Sequence, residues 1–88
     1  MRSEKVVPHC QAEFEALFEA AGNPHNDRLE FWKATQAHLS RMRLDMFNCS
    51  PEAETRAEWR QLMRRIEAFF HEVHARVEHH EKLSASGK

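Results

Sequence analysis

Histidine offers this chain more chemistry than any other residue type. Seven of the 88 residues are histidine, and four of them, His71, His74, His79 and His80, fall in the single run HEVHARVEHHE. If that run is helical, Glu67, His71, His74 and Glu78 follow one another at steps of four, three and four, so their side chains share a face. Imidazole and carboxylate at such spacing suit Zn, Ni, Cu or Fe, and His71 with His74 are the candidate metal ligands. Two things weigh against a metal. The two histidines stand three apart, one residue short of the zincin HExxH pair, and their face points away from the apolar stripe of the same helix. Two or three ligands on one solvated face hold an ion weakly, so neither metal nor cofactor is expected. His80 differs in lying on the stripe; in a seam between two chains it would make assembly pH-sensitive.

The nucleophile candidates are Cys49 and Ser50, just before Pro51, and Cys10 beside His9. A helix N-terminus lowers the pKa of a nearby thiol, but the sequence places no histidine as a base for Cys49. No catalytic residue is expected, and the chain reads as non-enzymatic. A di-metal carboxylate site also fails, because it needs inward-pointing Glu-x-x-His pairs and the inner stripe of the third helix holds no Glu. Arg56, Arg60 and Arg64 form an i, i+4, i+8 row of the kind that tracks phosphates. Glu52, Glu54, Glu58 and Glu67 flank it at ion-pairing separations and are expected to cancel most of its field. With 13 Lys plus Arg against 14 Asp plus Glu, no global field attracts nucleic acid.

These side chains need helices to hold them, and residues 50–82 organise the rest. Trp59, Leu62, Met63, Ile66, Phe69, Phe70, Val73 and Val77 all land at a, d or e of one heptad frame, which makes one stripe on a long amphipathic helix. Ser50 as cap, Pro51 at the first helical position and Glu52 and Glu54 in the first turn set its start. Towards the N-terminus, Cys10, Phe14, Leu17, Phe18 and Ala21 share a face, and a left-handed cap at Gly22 with Pro24 beyond it ends that helix. Asp27 and Glu30 read as a capping box opening a second helix with the stripe Leu29, Trp32, Leu39, Met42 and Met46. Leu44 and Phe47 fall off that stripe, on a second line through Ala37. No alternating run of β-branched residues suggests a strand. The expected fold is all-α, a three-helix up-down-up arrangement with a long antiparallel hairpin of helices two and three. The single domain spans 8–83, with helices at about 8–21, 27–48 and 51–82, between a flexible N-terminus, 1–7, and a disordered tail, 84–88.

Lengths then argue for a second chain. At 1.5 Å per residue the helices measure about 21, 33 and 48 Å. The first would leave the hairpin end around Met42 to Leu62 open on one side, and the third would pass Asp27 near residue 74 and project HARVEHHEKL beyond it. A dimeric helical bundle is expected to complete the core, with Met42, Leu44, Met46, Phe47, Trp59, Leu62 and Val77 at the interface. Cys10, level with His38 or Leu39 in this register, is too far from Cys49 for a disulfide. No apolar run nears the roughly 20 residues that cross a bilayer, and residues 1–7 are too short and charged for a secretory signal. The functional expectation is a cytoplasmic protein–protein interaction or adaptor module, acting as a homodimer with a possible further protein partner and without membrane contact. A metal-binding or metal-responsive module through the His-rich end is the alternative. Weak nucleic-acid binding through the Arg row is the second.

Overall fold

Phe14, Leu39 and Ile66, one from each expected helix, are each at most 1% exposed, and the fold is the arrangement that lets three apolar stripes share that space. The computed structural model describes residues 3–86. It contains α1 (Ser3–Ala21), a 3-10 turn (Pro24–Asn26), α2 (Leu29–Phe47), a second 3-10 turn (Ala53–Thr55) and α3 (Arg56–Ser86), with no strand among the described residues. Antiparallel pairing of α2 with its neighbours is read from cross-helix contacts: Glu13 to His38 at 3.5 Å, Arg43 to Glu67 at 3.6 Å and Lys33 to Glu81 at 3.8 Å. Three helices side by side make a rod 53 Å long and 20 Å across. The all-helical, up-down-up expectation therefore holds for one chain.

The core follows the stripes. Val7, Cys10 and Phe14 from α1 meet Trp32, Leu39, Met42 and Met46 from α2 and Leu62, Met63, Ile66, Phe69, Val73 and Val77 from α3. Burying each large side chain contributes about 1.5–3 kcal/mol, which is what holds such short helices in water. At the centre Phe14 sets its ring edge-on to Phe69, 5.7 Å between centroids.

Three boundaries differ from expectation, each with consequences for packing. First, α1 begins at Ser3, so residues 3–7 are helical and Val7 joins the core. Pro8 stands inside the helix and forfeits the bond to the carbonyl of residue 4; burial of Val7 and Cys10 on either side of it offsets the loss. The extra turn and a half adds about 7.5 Å. The Glu13–His38 register puts Val7 level with residues 42–46, so α1 covers the hairpin end that a shorter helix would leave open. Met42, Met46 and Leu62 are accordingly buried inside the single chain.

Second, α3 starts at Arg56 rather than Pro51. Glu52 is extended, with φ −75° and ψ 165°, and its carbonyl accepts from Thr55 N at 3.0 Å and Thr55 Oγ1 at 3.2 Å. The connection is thus residues 48–55 and not a two-residue turn. It sets α3 back along α2, so that Asp27 meets His80, at 2.9 Å, instead of residue 74. The overhang of α3 begins correspondingly later, and Val77 is buried within the chain.

Third, the caps are not the expected ones. Gly22 has no positive φ; α1 ends through Gly22 N to Glu19 O and Asn23 N to Ala20 O, both 3.1 Å, and Pro24 prevents continuation. The capping box does not form, since Arg28 occupies the N-cap without a side-chain bond. Asp27 is drawn instead to two side-chain donors, Trp32 Nε1 at 2.8 Å and His80. At the far end α3 runs through Ser86, taking in part of the expected tail. Residues 1–2 and 87–88, where flexible ends are expected, lie outside the described residues. No helix is long and apolar enough to cross a membrane, among the described residues.

Candidate interaction surface

Four of the histidines, His9, His38, His74 and His80, are held by polar side chains of the same chain. Gln36 Nε2 donates to His74 Nδ1 at 2.8 Å, which leaves the ring proton on Nε2, 3.3 Å from Glu78 Oε2. Both nitrogens of His74 are thereby engaged, and neither presents a lone pair to an ion. His71 sets its ring against Phe70, 6.4 Å between centroids. No group of three or more His, Cys, Asp or Glu side chains is placed to hold a metal, among the described residues. His80 closes the end of the bundle by its bond to Asp27, so the seam position expected between two chains is filled inside one. That bond, then the one from Trp32, holds the Asp27 carboxyl below its ordinary value of 3.8.

Cys10 is buried, and burial first, then the nearby Asp45, Glu13 and Cys49, pushes its thiol up to about 11. A thiol so raised is inert as a nucleophile at neutral pH. Because Glu13, not Cys10, is the residue opposite His38, Cys10 sits lower along α2 than expected, within electrostatic reach of Cys49. Neither cysteine is in a disulfide, and burial also raises the Cys49 thiol. A cleft of about 230 Å³ between α1 and α3 is lined by Gln11, Glu58, Gln61, Leu62 and Arg65. It brings no histidine, cysteine or serine together with the carboxylate.

The seven expected interface residues separate into two groups. Met42, Met46, Leu62 and Val77 are buried in the chain's own core, and Trp59 is half-buried, its Nε1 donating to Met46 O at 3.0 Å. Only Leu44 and Phe47 remain outside, 59% and 60% exposed. They stand three apart on α2 and so lie one above the other on the same flank.

What surrounds that pair is set by the register between α2 and α3. Moving along the open side of the hairpin, away from α1, the seam is closed at three levels: Lys33 with Glu81, Gln36 with His74, and Arg43 with Glu67. Arg43 also lays its guanidinium over Phe70 at 5.0 Å, and its Nε is a buried donor without a partner. From Gln36 with His74 to Arg43 with Glu67, seven residues along α2 are matched by seven back along α3. Four residues further in the same register, Phe47 falls level with Met63, between Arg60 and Arg64. Here the pattern changes, because the seam ends on an exposed aromatic ring beside exposed cations.

Arg56, Arg60 and Arg64 are all exposed, and none is ion-paired with a described side chain. The carboxylates expected to cancel them are placed elsewhere: Glu67 is held by Arg43, and Glu58 faces the cleft with Arg65. Sequence spacing found the row but misjudged its neighbours, since ion-pairing distance along a helix does not say which partner another helix supplies. The Asp27–Trp32–His80 contacts were hidden for the same reason; they join residues 53 apart in sequence. No family model, curated protein or solved structure matches the chain.

Proposed function

We propose that this protein is a non-enzymatic helical interaction module whose contact surface is the hairpin end of α2 and α3. Leu44 and Phe47 carry the reading: two large apolar side chains, more than half exposed, adjacent on one helix face and covered by no element among the described residues. A face of this kind contributes little to the stability of the chain that bears it and a good deal to an association that buries it. The homodimer expected from sequence is the self-association form of the same function. Its support is narrower than the sequence suggests, because four of its seven interface residues are already buried internally and a second copy would rest on Leu44 and Phe47 alone.

The test is the double variant Leu44→Ser, Phe47→Ser. Both side chains are exposed, so thermal stability should change by less than about 0.5 kcal/mol. Cross-linking of the native chain to its neighbours in a cell extract should give adducts that the variant loses, and sedimentation equilibrium on the purified pair of proteins should show whether one adduct is a second copy. Adducts identical for native chain and variant would remove the hairpin end from consideration.

A further inference from the structure

The uncommitted cations beside Leu44 and Phe47 say more about the partner than the apolar pair does alone. Along the open seam Lys33 pairs with Glu81 and Arg43 with Glu67, whereas Arg60 and Arg64, which flank the level of Phe47, pair with no described side chain. Glu52 and Glu54 belong to the connection and its 3-10 turn, and neither makes a salt bridge to Arg56, Arg60 or Arg64 among the described residues. Two cations one turn apart, set next to two apolar side chains three apart, form a strip with a positive edge and an apolar edge. Its length is about one helical turn, and it runs parallel to a groove between two antiparallel helices.

We propose that this strip binds an acidic amphipathic helix of another protein, which lies in the α2–α3 groove as a fourth helix. The geometry matches helix-in-groove recognition, in which an apolar face anchors and flanking charges choose the partner and its direction. Apolar side chains at i and i+3 or i+4 of the partner would sit on Leu44 and Phe47, and carboxylates one position aside would meet Arg60 and Arg64. A strand is a poor occupant, because the described residues offer no sheet edge for one to join. Nucleic acid is less suited, since it gains nothing from covering Leu44 and Phe47. The proposal rests on the interaction-module reading above and adds the chemistry of the partner.

The experiment is fluorescence anisotropy with the intact chain and a set of labelled probes. The first is a Leu/Glu peptide of roughly five helical turns with its leucines on one stripe. Beside it stand the same composition scrambled, the same stripe with every Glu replaced by Gln, a short DNA duplex, and vesicles containing phosphatidylserine. The expected result is saturable binding of the striped acidic peptide, at least about tenfold tighter than the scrambled or Gln peptides, the duplex or the vesicles. Arg60→Glu with Arg64→Glu should weaken it by about tenfold or more, whereas Lys82→Glu, far along α3, should leave it unchanged; circular dichroism of each variant establishes that the helices persist. Equal binding of the scrambled peptide, tighter binding of the duplex or vesicles, or full affinity in the charge-reversed variant would overturn the proposal. If no probe binds while Leu44→Ser, Phe47→Ser still abolishes cross-linked adducts, the acidic partner is wrong and the interaction module stands. If the adducts survive too, both are wrong.

Discussion

The two ends of this rod are built differently. At one end, where α1 hands over to α2 and α3 finishes, polar side chains close the structure: Asp27 accepts from Trp32 and His80, Asn26 Nδ2 donates to Ala20 O at 2.9 Å, Lys33 meets Glu81, and Arg76 lies 5.5 Å over the Trp32 ring. At the other, Trp59 makes one bond to the Met46 carbonyl, while Leu44, Phe47, Arg56, Arg60 and Arg64 are left in solvent without partners among the described residues. Both ends cover the same core. The first end also exposes apolar side chains, Phe18 at 51% and Leu83 at 55%, but these stand on different helices, whereas Leu44 and Phe47 are neighbours on one helix face beside unpaired cations.

That contrast can be broken by substitutions, beginning with the largest effect. Leu39 lies midway, at 0% exposure, and belongs to neither end; Leu39→Ala should cost about 2–5 kcal/mol in urea unfolding. A much smaller loss would mean that the three stripes do not share one core and that the ends are not capping a common body. Trp59→Phe comes next, because it deletes the bond to Met46 O while keeping an aromatic ring. It should cost about 0.5–1.5 kcal/mol, and a result near zero would show that this bond does not help to close the hairpin end.

The smallest effect is visible only in acid. Asp27 has its carboxyl held low in the folded chain by His80 and Trp32, so its contribution to stability is present above the ordinary value of 3.8 and fades as pH falls through the lower folded-state value. Asp27→Asn should therefore flatten the acid limb of a stability-against-pH curve below about pH 4, with little change in its shape at neutral pH. An unchanged limb would show that the polar closure of this end is set by other groups.

The helices were legible because stripe periodicity is written in single residues: every member of the Trp59–Val77 stripe is buried or half-buried. Helix ends were less so. Asp27 has the spacing of a cap, yet a carboxylate that can accept from an indole and an imidazole at once is better satisfied there than by one backbone N–H, and both donors come from outside its own turn. Pro51 has the signature of a first helical residue, but a connection long enough to extend Glu52 displaces the start to Arg56. That shift alone moves Val77 from overhang to core. Of the surface, Leu44 and Phe47 were marked by falling off the stripe of α2, and the structure leaves both exposed. The freedom of Arg60 and Arg64 was not readable, since it depends on Arg43 reaching across to take Glu67.

Pro8 has a dynamic corollary. The turn that carries Val7 over Met42 and Met46 lacks one rung of its ladder, so α1 should unzip from that end at a free energy well below that of global unfolding. Each such excursion bares Cys10 and the methionines beneath it. Amide exchange that is fast up to residue 10 and slow beyond Phe14 would mark a hinged flap, held shut over the end of the molecule that we propose as the contact surface.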